Sequence, residues 1–159
     1  MAKPRHARRL VTAAPQPRTA ALTPTLQAAV VAALVLSATL PVTTNVFVTL
    51  DDVLYLGNPS VVSGLTPASI AFAFGSVTAL YWHPVAWLSH EADVSLFGLH
   101  PAGHHLTSAL LHAVAAGLLF LLLRKLGAGT WSSAGGSLLW AIHPLRVESF
   151  ACGGALGGH

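Results

Sequence analysis

Long uncharged apolar runs alternate with short polar breaks along the chain, a pattern that predicts helices of membrane-crossing length. Residues 26 to 48 carry no charged side chain. As a helix rising about 1.5 Å per residue they cover about 34 Å, against a hydrocarbon core of about 30 Å. Thr23-Pro24 ahead of them offers an N-cap and a proline at the first helical position. A first membrane helix is therefore expected over residues 23–49, kinked at Pro41. A second is expected over 103–123, after the break His100-Pro101-Ala102-Gly103 and before Arg124-Lys125. The third apolar run, 131–143, is short, since about twelve residues make about 18 Å. It either borrows residues 127–130 to cross, or stops at membrane depth where His143-Pro144 interrupts it inside a protein cavity.

Residues 50–102 form an outer loop that is not a polar linker. Thr66-Pro67 predicts a short helix to about Phe74, and Trp82, Trp87, Leu88, Leu96 and Phe97 supply groups that settle in a membrane interface. The fold class expected is all-α integral membrane, with two or three transmembrane helices plus short interfacial helices in a long outer loop.

Composition agrees with this class and excludes others. Hydrophobic residues make up 53% of the chain and charged ones 8%, against roughly 25% charged in soluble domains; the mean hydropathy is +0.65. The net charge of +3 does not imply a nucleic-acid partner. Lys3, Arg5, Arg8, Arg9 and Arg18 all precede the first apolar run, so residues 1–22 read as a basic cytoplasmic tail beside anionic lipid. Arg124-Lys125, opening a cytoplasmic turn at 124–130, sets the same orientation. Asp51-Asp52 and the atypical tail 144–159 are then expected on the outer face. A cleavable signal peptide has an apolar core of about 7–15 residues ending at small residues. Here the run is longer and continues through Asn45-Val46-Phe47, which favours an uncleaved anchor. A mitochondrial targeting tail is the lesser alternative, on the several Arg and absent acids ahead of Asp51. Cys152 is the chain's one cysteine, which leaves no intrachain disulfide and no cysteine-based metal cage.

Four polar groups carry the candidate chemistry. An Asp at mid-membrane costs roughly 2.5–3.5 kcal/mol on insertion scales, so Asp51-Asp52 at a helix edge marks either a catalytic rim or an ordinary loop. Glu91 with Asp93 reads as a solvated loop face. Among His83, His90, His100, His104, His105, His112 and His143, the set His104, Ser108 and His112 recurs every four residues and shares a helix face, with His105 one step round. That stripe is expected to face other helices, because the spacings match no tight metal signature. Arg146 with Glu148 either forms an interfacial ion pair or holds a lipid phosphate in the guanidinium fork.

The motifs Phe47-Val48-Thr49-Leu50-Asp51-Asp52, Gly57-Asn58-Pro59, Gly64-Leu65-Thr66, Tyr81-Trp82-His83-Pro84 and Trp87-Leu88-Ser89-His90 occur in a specific order. Leu96-Phe97-Gly98-Leu99, Gly103-His104-His105-Leu106-Thr107, Leu110-Leu111-His112 and His143-Pro144-Leu145-Arg146-Val147-Glu148-Ser149 follow them. Over about residues 26–150 the chain resembles the amino-terminal part of the transmembrane and tetratricopeptide-repeat O-mannosyltransferase family and its bacterial relatives. The resemblance implies a fragment of a C-type glycosyltransferase bundle in a bacterial inner membrane. It also implies transfer of a mannose-like sugar from a polyprenyl-phosphate donor to an acceptor hydroxyl. Asp51 would be the general base and Asp52 would support or orient it. Arg146 and Glu148 would serve the donor phosphate or the structure, and His83, His104, His105, His112 and His143 would be polar residues of the substrate cavity.

No metal ligand is assigned and no cofactor is firmly implied, a divalent cation being left open. The partners implied are the lipid bilayer, the polyprenyl-phosphate sugar and other membrane helices. After Glu148-Ser149 the sequence turns Gly-rich instead of following the family pattern, which reads as a truncated or frameshifted gene and predicts an inactive isolated chain. The alternative is a small non-enzymatic membrane protein that binds a partner or metal through its outer helices and His-rich stripe.

Overall fold

The computed structural model describes residues 22–47, 56–77 and 82–146. Asp51, Asp52 and Glu148 lie outside the described residues. Every regular element among those described is helical. The first helix, α1 (Pro24–Thr39), begins at Thr23, whose hydroxyl accepts from the Leu26 amide, with Pro24 in the first turn. It passes into a 3-10 segment, Leu40–Thr44, with Pro41 at its start. The amide that Pro41 lacks leaves this stretch short of an α-helical bond. Thr43 and Thr44 return their hydroxyls to the carbonyls of Leu40 and Pro41, each at 2.8 Å.

Among the described residues three short helices with both ends defined follow: α2 (Pro59–Val62), α3 (Pro67–Gly75) and α4 (Pro84–Phe97). Each starts with proline in its first turn. Thr66 and Ser69 form a reciprocal capping box at the start of α3. Gly98, at φ 62°, then reverses the chain into α5 (Pro101–Lys125). That turn needs a residue free to adopt positive φ. Gly127, at φ 92°, ends α5. Around it the Ala128 amide reaches back to the Leu123 carbonyl and the Arg124 guanidinium donates to the Ala128 carbonyl at 2.7 Å. The helix α6 (Thr130–Ile142) follows, and after His143 residues 144–146 are again helical.

Helices α1, α5 and α6 pack side by side in alternating directions. Ala28 lies against Gly117, while Phe47, beyond the end of α1, meets His104 near the start of α5. Residue numbers that rise on one helix as they fall on the other make the pair antiparallel. On α6, Gly136 lies near Leu123 and Ala141 accepts from His112, so this pair is antiparallel too. Its core is Ala28, Val31, Val35, Ala113, Ala116, Phe120 and Ala141. Small residues let helices approach closely, which matters where lipid supplies no hydrophobic drive between them. Leu110, Leu111, Val114, Leu118 and Leu122 remain exposed on α5, as an apolar surrounding allows.

Two segments, Pro24–Thr44 and Pro101–Lys125, are long and apolar enough to cross a membrane. The 13 residues of α6 cover about 20 Å, short of the hydrocarbon thickness of about 30 Å. Helix α6 ends opposite His112, about 12 Å along α5 from His104. A second core, Val61, Ala73 and Trp87, joins α2, α3 and α4 into a cap. The cap touches the bundle through α4 and the start of α5.

Candidate functional site

Among the described residues a polar cluster that could hold a metal ion lies where α4 meets α5. His90 and Asp93, three residues apart on α4, share a helix face. Reversal at Gly98 lays that face against the first turn of α5. Gly103 permits the approach, because a Cβ there would run into the ring and Cβ of Phe97. His104 donates Nε2–H to the Gly98 carbonyl at 3.0 Å. Its Nδ1 faces Asp93 Oδ2 at 3.8 Å. Thr107, one turn on, donates to Asp93 Oδ1 at 2.7 Å. The His90 and His104 rings lie 6.4 Å apart and nearly parallel, and Phe47 closes the side of the cluster edge-on to His104. Burial, then His104 and His83, push the His90 imidazole below its ordinary value, opposed by Asp93.

Glu91 and Asp93 do not form a solvated face. Both are buried, Glu91 completely. Asp93 has Thr107 and His104, whereas both Glu91 carboxylate oxygens lack a hydrogen-bond partner. Burial accordingly raises the Glu91 carboxyl above its ordinary value, with the nearby Ser69 hydroxyl opposing. A buried carboxyl relieved only by the Ser69 hydroxyl keeps most of its desolvation cost. Glu91→Met, similar in volume and apolar, is expected to raise the melting temperature of the detergent-solubilised chain by about 2–4 °C. A fall on calorimetry would show that Glu91 makes a favourable contact.

A second polar group sits at the end of α6. His112 donates Nε2–H to the Ala141 carbonyl at 3.0 Å and stacks on Trp140, ring centroids 5.4 Å apart. Beyond the helix end the His143 Nδ1 accepts from the Leu145 amide at 3.3 Å. Arg146 lies over the Trp140 ring at 5.3 Å, a cation–π arrangement. Leu139, Trp140, His143, Leu145 and Arg146 line an open cleft of about 400 Å³. An exposed guanidinium beside apolar walls can hold an anionic head group with an apolar chain attached.

The histidine stripe thus divides. His104 turns to α4 and His112 to α6, two turns apart, because each ring finds its partner on a different neighbour. His105 is buried beside Phe47, their rings 6.1 Å apart. His83, at the N-cap of α4, stacks on Trp87 at 5.3 Å. Sequence spacing did not place His90 and Asp93 in a site. The available signal was the i, i+3 pair followed by a glycine reversal and a second histidine.

Part of the chain is similar to named mannosyl-transferases. It is 34% identical over 70 residues to Protein O-mannosyl-transferase Tmtc1 of Drosophila melanogaster. With Protein O-mannosyl-transferase TMTC2 it shares 38% identity over 72 residues in Homo sapiens and 35% over 71 in Mus musculus. Each similarity covers 44% of this chain and 8% of the relative, so the chain spans a small part of the proteins it matches. No protein-family model matches the chain, and no solved structure matches it.

Proposed function

We propose that this chain is the amino-terminal part of a membrane glycosyltransferase that moves a mannose-like sugar from a polyprenyl-phosphate donor to an acceptor hydroxyl. The observation that carries the reading is the local identity of 34–38% to O-mannosyl-transferases over about seventy residues. In this reading the tail before α1 is cytoplasmic and the α2–α4 cap lies on the outer face of a bacterial inner membrane. Asp51, four residues after Phe47 in the sequence, takes the acceptor's hydroxyl proton as that oxygen attacks the anomeric carbon. The bond from that carbon to the lipid-phosphate oxygen breaks, and the phosphate leaves with the electron pair. Asp52 orients the base. Arg146 meets the phosphate, which departs as an anion and gains from a fixed cation more than from an acid. The cleft beside Arg146 supports this role, since Trp140, Leu139 and Leu145 give the first isoprene units an apolar wall.

Donor binding tests this reading without requiring turnover. The chain in lipid nanodiscs is expected to bind polyprenyl-phosphate mannose, measured by native mass spectrometry. Arg146→Gln is expected to weaken binding about tenfold, the worth of one charge-assisted contact. Equal affinity for the uncharged polyprenol, or no effect of Arg146→Gln, would overturn the assignment of Arg146.

A further inference from the structure

We propose that His90, Asp93 and His104 form a binding site for one divalent transition-metal ion of the Zn²⁺ type, which clamps α4 to the start of α5. One ligand atom from each residue lies within 4.8 Å of the other two. A tetrahedral zinc with bonds of about 2.0–2.1 Å to nitrogen and oxygen sets neighbouring ligand atoms about 3.3 Å apart. Asp93 Oδ2 and His104 Nδ1 are already at 3.8 Å. Closing the rest requires rotation of side chains rather than movement of a helix.

Outer partners strengthen the geometric case. His104 donates Nε2–H to the Gly98 carbonyl. This fixes the tautomer and turns the lone pair of Nδ1, which makes no hydrogen bond, toward Asp93. Metal-ligating histidines commonly carry such a bond from the far nitrogen. Asp93 is held by the Thr107 hydroxyl on one oxygen, leaving the other directed at His104. Asp93 and His104 are nearly excluded from solvent. A buried carboxylate faced by imidazoles is poorly neutralised unless a cation joins them.

The donor set selects the ion. Two imidazole nitrogens and one carboxylate oxygen suit Zn²⁺ and its neighbours, whereas Mg²⁺ and Ca²⁺ favour all-oxygen shells. Three protein ligands leave a tetrahedral ion one position for water. The ligands come from both sides of the Gly98 reversal, so the ion ties the cap to the longest helix at the corner the glycine leaves unbraced. This site is separate from the Arg146 cleft and does not depend on the transferase reading.

The test uses the purified full chain in detergent with any affinity tag removed. Titration with Zn²⁺ is expected to show one tight equivalent, retained through dialysis and counted by elemental analysis. His90→Gln, Asp93→Asn and His104→Gln are each expected to weaken binding at least tenfold, while His100→Gln, at an exposed position outside the cluster, leaves it unchanged. Thr107→Val keeps all three ligands but frees Asp93, and is expected to weaken binding about tenfold. X-ray absorption on the zinc-loaded wild-type chain, which depends on no variant, is expected to show two imidazoles and a carboxylate oxygen. Absence of a retained equivalent, equal affinity in all three ligand variants, or a shell without imidazole would overturn the proposal.

Discussion

Trp87→Ala is expected to unfold the outer cap while leaving the α1–α5 pair intact. The Trp87 side chain has no solvent exposure and lies at the centre of the cluster it forms with Val61 and Ala73. Phe72 meets its ring edge-on at 5.4 Å and His83 stacks on it at 5.3 Å. Truncating a buried aromatic to Ala costs about 3–5 kcal/mol. Helices of 4, 9 and 14 residues are too short to persist without tertiary packing, so a loss of that size exceeds what the cap can absorb. Hydrogen exchange is the direct measure. Amides of α2, α3 and α4 are expected to lose at least about 100-fold in protection, the equivalent of about 3 kcal/mol, while those in the middle of α5 keep theirs. A uniform loss across both groups would mean that cap and bundle unfold as one unit.

The division into cap and bundle shows what local sequence signals can and cannot carry. Thr23-Pro24 and Thr66-Pro67 each mark a helix start in the sequence, and a helix begins at each of these prolines; His100-Pro101 reads only as a break ahead of a helix at 103, whereas α5 already starts at Pro101. Capping depends on residues within one turn, which a linear reading sees directly. Two apolar helices of crossing length are legible for the same reason, being runs of one character. The polar groups are another matter. Glu91 and Asp93 read as a solvated face because they are charged and lie in a loop region, yet both are buried. What buries them is the reversal at Gly98 and the absence of a Cβ at Gly103, which together bring α4 onto α5. Likewise the four-residue spacing of His104 and His112 puts them on one face but does not reveal that different helices cover the two ends of that face. Long-range pairing of this kind is set by packing, and periodicity within one helix contains no record of it. The acidic pair Asp51-Asp52 rests on motif resemblance, and the described residues add to it only the position of Phe47 against His104.

Gly117→Leu is expected to separate α1 from α5, the reverse of the Trp87 result. A Cβ at residue 117 would lie 3.2 Å from the Ala28 carbonyl oxygen and 3.4 Å from the Ala32 Cβ. The first of these is backbone and cannot rotate away. Alanine would press on it by a few tenths of an ångström, while removing a mid-helix glycine gains up to about 1 kcal/mol of helix propensity; Gly117→Ala is therefore expected to be nearly neutral. Leucine adds three further carbons at the same contact, so the helices must part. Parting them uncovers Ala28, Val31, Val35, Ala113 and Ala116 together, because these small residues pack only at close approach. The expected cost is about 3 kcal/mol, at the upper end for overpacked sites. Spin labels at Val30→Cys and Leu118→Cys, both exposed positions, in a Cys152→Ser background would report the change as a longer and broader distance distribution. An unchanged distribution in Gly117→Leu would show that α1 can slide or rotate to a second packing, and that the Ala28–Gly117 contact does not hold the pair. If the distribution broadens while exchange in α2–α4 is unchanged, each core holds its own helices. Among the described residues, the α4–α5 corner is then the joint through which movement of the cap reaches the bundle.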